Sequence, residues 1–352
     1  MKTKFFCLIF ILSLFLSAPV FAQYILNGAA TKNSCNCYTL TTPVTTQTGS
    51  VWNANKISLS QSFDFWFNVF LGCSDRGADG IVFILQPIST SIGTSGEGMG
   101  FGGVSPSIGI ALDTYQNFNL ADPFYDHISI QANGIINHSA DLAGPVPASA
   151  LSNDVEDCQW HNLRISWNAV TKTLTAYFDG VQRVQKHIDL VATIFNNDPN
   201  VFWGFTGATG GEVNLQQFCT ALDPDFSTNF PSNIACAPAS LQFNNQSQSF
   251  APIASYSWRF GNGDSSNLQN PSPVLFPQPG VYDVRLKITG LDGCENDTVK
   301  TITIGSVPNA TLQVFDTCFK NEPRLKFTAN NFGVNYQWLL NGNVISTTAQ
   351  PQ

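Results

Sequence analysis

The run Ile108-Gly109-Ile110-Ala111-Leu112-Asp113-Thr114-Tyr115-Gln116-Asn117-Phe118-Asn119-Leu120-Ala121-Asp122-Pro123-Phe124-Tyr125-Asp126-His127-Ile128-Ser129-Ile130 decides how the rest of the chain is read. Its two ends are apolar and strand-like, and its middle is a polar loop. Asp113, Asn117 and Asp122 offer hard side-chain oxygens and the Tyr115 carbonyl a fourth. Such a set suits Ca²⁺, which takes roughly six to eight oxygen ligands including waters. His127 adds a borderline nitrogen, suited to a transition ion that shares Asp113 and Asp122 with the calcium. Taken singly, each acidic or Asn residue here is an ordinary loop residue, because these side chains bond their own backbone in turns.

Taken together, Asp113 with donors two, four, nine and fourteen residues later, between two apolar strands, resembles the metal loop of the legume-type (L-type) lectins in both spacing and residue type. The resemblance implies that Asp113, Tyr115, Asn117 and Asp122 hold Ca²⁺, and that Asp113, Asp122 and His127 belong to a second, Mn²⁺-type site. It also implies that Tyr115 offers its ring face, and Asn117 its amide, to a sugar. One position departs from the family pattern: Ala111 stands where the family has a Glu ligand of the second site. The same residue speaks against a hydrolase. Retaining glycosidases on a similar jelly roll carry Glu-x-Asp-x-x-Glu on this strand, because cleavage needs two close carboxyls. Here those places read Ala111, Asp113 and Gln116.

Working outward, Gly77-Ala78-Asp79-Gly80 and the apolar run to Gln86 read as a turn feeding a buried strand. In L-type lectins an Asp at this place follows a cis peptide bond and accepts from sugar hydroxyls, so the resemblance gives Asp79 that role and Ala78-Asp79 that bond. The glycine-rich stretch 96–103 lacks the preceding strand and following helix of a dinucleotide fingerprint. By resemblance it brings backbone N–H groups to the sugar, with Gly98 as our choice. Residues 201–212 resemble the strand and variable loop that close the family's sugar site, which makes Gly210 and Gly211, within Thr209 to Glu212, candidate contacts.

Lys2 and Lys4 precede an apolar run over 5–16, and Val20-Phe21-Ala22 offers a cleavage point before Gln23. This pattern is a secretory signal peptide, too short to span a membrane as a helix. It implies a secreted or cell-surface protein without membrane insertion. Loss of the two lysines takes the formal charge from -8 to -10, an acidic balance that speaks against a nucleic-acid partner. Eight cysteines remain: Cys35, Cys37, Cys73, Cys158, Cys219, Cys236, Cys294 and Cys318. Their even number after an export signal favours disulfides. The expected pairs are Cys236 with Cys294, Cys73 with Cys158, and Cys219 with either Cys35 or Cys37.

Short runs rich in Val, Ile, Thr, Phe and Trp, separated by glycine and proline and without a helical period, indicate an all-β chain. Residues 60–70 alternate polar and apolar, as a half-buried strand does. Residues 157–167 and 172–180 form an expected hairpin, with His161 at a strand edge. Residues 23–226 are enough for one large sandwich, a concanavalin-like jelly roll by resemblance. Residues 227–305 carry Tyr256-Ser257-Trp258-Arg259-Phe260-Gly261-Asn262-Gly263-Asp264 and Pro279-Gly280-Val281-Tyr282, and resemble a PKD-type repeat, a small Ig-like sandwich whose role, by that resemblance, is a spacer or a protein-contact module. Residues 306–352 look like an incomplete further Ig-like repeat, being shorter than the roughly 100 residues such a sandwich takes. The expectation is a secreted, calcium-dependent, non-catalytic glycan-binding adhesin. The alternative is an adhesion module that contacts proteins and binds no sugar.

Overall fold

The computed structural model describes residues 24–91, 96–229, 235–306, 317–319, 322–324 and 337–347. The expected signal peptide at 1–22 lies outside them, as does most of the expected third repeat. The chain divides into two compact units, the first taking residues up to 225 with 247–256 and 287–297, the second the remainder.

The first unit is a sandwich of two antiparallel sheets. Its strands are β1 (Tyr24–Gly28), β2 (Thr31–Lys32), β3 (Cys37–Thr41), β4 (Thr48–Asn53), β5 (Ile57–Ser58), β6 (Phe63–Phe70), β7 (Gly80–Gln86), β8 (Ile108–Asp113), β9 (His127–Ala132), β10 (Ala143–Pro147), β11 (Trp160–Asn168), β12 (Thr173–Phe178), β13 (Val181–His187), β14 (Asn200–Ala208) and β15 (Gln216–Thr220). One sheet runs β1-β4-β14-β7-β8-β9-β10, with β5 beside β14, and the other runs β13-β12-β11-β6-β15-β3-β2. Between them lies an apolar core that includes Phe67, Val69, Phe83, Ile110, Trp203 and Phe205. Each such side chain contributes about 1.5–3 kcal/mol on burial.

Strands β6 and β11 alternate between buried and partly exposed residues, because only one face of their sheet meets the core. Strands β7 and β8 are buried throughout. The reason is a second apolar layer on the far face of their sheet, where Trp52, Val82, Ile84, Met99, Phe101 and Ala111 cluster. The glycine-rich segment supplies Met99 and Phe101 to that layer. Gly109 makes room for the ring, since a Cβ there would stand 2.9 Å from Phe101. The expected hairpin forms, with Leu163 to Asn168 opposite Phe178 to Thr173. His161 sits near the start of β11, opposite Val69 of β6 and beyond the β12 pairing, which reaches only to Leu163; its imidazole is held by Asp179 at 2.8 Å and Asp157 at 3.2 Å.

Cys73 pairs with Cys158 as expected, and Cys219 takes Cys37 of its two alternatives. The expected Cys236–Cys294 pair does not form. Cys294 bonds Cys35, and Cys236 is free and exposed. Residues 287–297 belong to the first unit, where the Asn296 amide donates to the Leu222 carbonyl, so Cys294 sits within reach of Cys35. Phe250, from 247–256, likewise packs on Phe65, Phe67 and Trp203.

The second unit has a small aromatic core of Phe226, Phe243, Trp258, Phe260 and Phe276. Trp258 and Phe260 alternate inward and stack at 6.0 Å. The turn that follows takes positive φ at Gly261 and Gly263, with the Asn262 side chain accepting from the Asp264 N–H at 2.9 Å.

Candidate functional site

Strand register gathers the candidate residues at one end of the first sheet. Gly80 faces Asp113 and Asp113 faces His127, while Gly80 on its other side faces Ala208. Asp79, Asp113, His127 and Thr209 therefore end four neighbouring strands at one level. The Ala78-Asp79 bond is cis. The ladder runs on through it: the Asp79 N–H donates to the Ala208 carbonyl at 2.9 Å, and the Asp79 carbonyl accepts from the Thr114 N–H at 3.1 Å. Behind this turn, Asn214 occupies the space beside Gly72 and Gly77. A Cβ at Gly77 would fall 1.9 Å from its amide nitrogen, so only glycine lets the 72–79 segment lie this close.

The carboxylates shape the loop that follows β8. Asp113 Oδ1 accepts from the Tyr115 N–H at 3.1 Å, and Asp122 Oδ2 accepts from the Asn117 N–H at 2.6 Å. A 3₁₀ turn at Phe118–Leu120 buries Leu120 beneath it. Asp79, Asp113 and Asp122 are all buried, and among the described residues no Lys or Arg forms an ion pair with them. Burial, reinforced by Asp122, raises the Asp113 carboxyl well above the ordinary range, and burial with Glu97 holds Asp79 at about 6. Burial also raises Asp122. Asp79 Oδ2 and Asp122 Oδ1 are buried without a hydrogen-bond partner. Buried carboxylates lacking a counter-charge are costly, and a hard cation offsets that cost. The oxygen donors present thus fit Ca²⁺.

Of the expected sugar contacts, Asp79 and Gly210 are adjacent: a Cβ on Gly210 would lie 3.6 Å from the Asp79 carboxylate. Gly98 closes a 3₁₀ turn, Gly96–Gly98, whose Glu97 accepts from the Asn119 amide of the loop after β8 at 3.4 Å. Gly211 is open, with nothing within 4 Å of a Cβ placed on it. A cavity of about 460 Å³ opens beside the loop, lined by Tyr115, Phe118, Phe124, Tyr125, Arg76 and Glu212 among others. It shares Tyr115 with the expected sugar set, and Phe118 and Phe124 on its wall are 84% and 79% exposed.

Two features escaped sequence reasoning. His138 enters the site from a 3₁₀ turn, His138–Ala140, and its Nε2 stands 2.8 Å from that of His127 and 3.3 Å from Asp122 Oδ1. A lone histidine eleven residues past the loop carries no spacing signal. Asp126, Asp154 and Glu156 also converge, with Asp126 Oδ2 accepting from the Val155 N–H at 2.7 Å and the Asn214 amide donating to Glu156 Oε1. Burial, with Asp126 close by, holds Glu156 at about 8. Strand pattern gives no sign of a cluster drawn from separate loops.

The antiparallel sandwich and its acidic loop define a lectin-type module followed by a smaller β-domain. Residues 17–222 match the model of the legume lectin beta-barrel domain and residues 224–304 that of the PKD domain. The first match covers more than half of the sequence, and the chain belongs to the legume lectin family. Among curated proteins it is similar to the pesticidal crystal protein Cry22Aa of Bacillus thuringiensis, 26% identical over 324 residues, covering 82% of this chain and 44% of that one. It is also similar to the serine-rich adhesin for platelets of Staphylococcus aureus, 27% identical over 213 residues, covering 54% of this chain and 9% of that one. The chain thus spans less than half the length of either. Among solved structures, lectin I-B4 of Griffonia simplicifolia in its metal-free form is 23% identical at a TM-score of 0.47, covering 55% of this chain and 89% of that one. Lectin II of Ulex europaeus is 24% identical at 0.47, covering 56% and 89%. At that level of likeness nothing about ligands passes from those lectins to this chain.

Proposed function

We propose that this chain is a secreted or cell-surface glycan-binding protein whose sugar site is ordered by calcium, and that it performs no catalysis. The observation that carries this reading is the group of buried carboxylates Asp79, Asp113 and Asp122, which form no ion pair with Lys or Arg among the described residues. In this reading Asp113, Asn117, Asp122 and the Tyr115 carbonyl hold Ca²⁺. Bound calcium supplies the positive charge that keeps these carboxylates ionised and the loop ordered. Asp79 accepts from sugar hydroxyls, Asn117 bonds the sugar through its amide, and Tyr115 packs its ring on the apolar face of a pyranose. Backbone groups of Gly98, Gly210 and Gly211 border the site and set its width. The PKD-type domain acts as a spacer or a protein contact. Among the described residues no helix is long and apolar enough to cross a membrane.

The test is glycan binding by the full chain with calcium and after chelation, with Asp113→Ala alongside. Binding that vanishes on chelation and in the variant supports the proposal; equal binding in all three samples contradicts it. The second reading, a protein-contacting adhesion module, is favoured by the exposure of Phe118 and Phe124. Calcium-independent capture of a protein ligand with no glycan binding selects it.

A further inference from the structure

The two histidines of the site face each other in a way that a sugar-binding loop alone does not explain. His127 Nδ1 lies 3.1 Å from the Tyr125 carbonyl, which only accepts, so the Nδ1 carries the proton and leaves a bare lone pair on Nε2. His138 Nδ1 lies 2.7 Å from the Asp141 carboxylate, which fixes the same tautomer. The two Nε2 atoms are then 2.8 Å apart with lone pairs converging, an arrangement that is repulsive unless a metal ion or a shared proton lies between them. Asp122 Oδ1, without a hydrogen-bond partner, is 3.3 Å from His138 Nε2, and Asp113 Oδ2 is 3.9 Å from His127 Nε2. All four side chains are at most 4% exposed, and their ligand atoms lie within 4.8 Å of one another. Two nitrogens each about 2.1 Å from one ion stand roughly 3.0–3.4 Å apart for angles between 90° and tetrahedral. The observed separation is within a few tenths of an ångström of that range.

We infer that His138 is a further ligand of the transition-metal site that the resemblance assigns to Asp113, Asp122 and His127, and that this second imidazole biases the site towards Zn²⁺-class ions over Mn²⁺. Ala111 cannot ligate and is buried in the apolar layer with Trp52 and Phe101. His138, reaching in from the turn between β9 and β10, completes the set that Ala111 leaves short. The exchange replaces a hard oxygen by a second imidazole, and imidazole favours zinc, cobalt, nickel and copper where carboxylate and water favour manganese and calcium. The contacts from Nδ1 to Tyr125 and Asp141 are the outer-shell partners that orient ligating histidines. The Asn137 side chain pins the turn by accepting from the Ser139 N–H at 3.0 Å. This site stands whether or not the loop binds a sugar.

The experiment titrates the chelator-stripped full chain with Zn²⁺ and Mn²⁺ by calorimetry, and with Co²⁺ by its visible absorption. One equivalent of Zn²⁺ should bind at least about tenfold more tightly than Mn²⁺, with a Co²⁺ spectrum showing nitrogen ligation. His138→Asn should remove the preference, and Asp141→Asn should weaken Zn²⁺ binding about 10–100-fold. Circular dichroism checks that both variants are folded; should His138→Asn fail that check, Asp141→Asn and the wild-type ion preference decide. No Zn²⁺ binding, a preference for Mn²⁺, or unaltered Zn²⁺ binding in folded His138→Asn overturns the inference. Zn²⁺ binding through His138 in a chain that binds no glycan sinks the lectin reading and leaves this one intact.

Discussion

Replacing Asp113 by Asn should change stability in opposite directions with and without calcium. The ligand atoms of Asp113 and Asp122 lie within 4.8 Å, and two full charges at that distance repel by roughly 3.5 kcal/mol at an effective dielectric constant of 20. Burial makes ionisation dearer still, and it raises Asp113 well above its ordinary value. A carboxyl raised in the folded state contributes stability below its unfolded pKa and loses it as pH rises through the folded one. At pH 8 the chelated wild type therefore bears a cost that Asn removes, while Asn still accepts from the Tyr115 N–H. We expect the variant in EDTA to be more stable by about 1–3 kcal/mol, a discounted share of that repulsion. Calcium at a hundredfold excess over its Kd adds about 2.7 kcal/mol to the wild type, or roughly 5–11 °C for a domain of this size. The variant should lose most of that increment. Scanning calorimetry in EDTA and in calcium reads both effects. A variant less stable than wild type in EDTA, or stabilised as much by calcium, refutes the reasoning.

Other consequences follow from the same geometry. Gly80→Ala puts a Cβ 2.2 Å from the Leu112 carbonyl at a φ of +127°, so urea unfolding should show a loss of at least about 2 kcal/mol; a smaller loss contradicts the close β7–β8 approach. Glu156, held at about 8 by burial, gives stability that is present below its ordinary pKa of 4.5 and lost as pH rises through about 8. Glu156→Gln should flatten the melting temperature between pH 5 and 9 in EDTA and raise stability at pH 9 by on the order of 2 kcal/mol; a pH slope identical to wild type counts against it. Tyr115→Ala should weaken glycan binding about 5–30-fold while Tyr115→Phe stays within about twofold, since the ring face is the proposed contact. Equal losses in both variants point to the hydroxyl instead.

Much of the fold was legible because it rests on local pattern. The alternation of β6 and β11 announced one-sided strands, and the unbroken apolar run of β7 announced a strand covered on both faces. What covered the second face was not legible: Met99 and Phe101 reach it from a glycine-rich segment with no periodicity of its own. The loop after β8 could be read as a candidate site because Asp113, Tyr115, Asn117 and Asp122 lie close along the chain; in the structure the Asp113 and Asp122 carboxylates accept from backbone N–H groups of that same loop. His138 could not, since it joins the site through β9 and a turn. The cysteine pairing failed at Cys294 for a related reason. Membership of one expected repeat, 227–305, favoured Cys236, whereas residues 287–297 pack with the first unit and deliver Cys294 to Cys35.

The most direct test of the central claim is a glycan array probed with the full chain, once in calcium and once after chelation. The account predicts a discrete set of glycans bound in calcium and lost on chelation, and regained when calcium is restored. Binding indifferent to chelation, or a folded chain that binds no glycan in either condition, contradicts it.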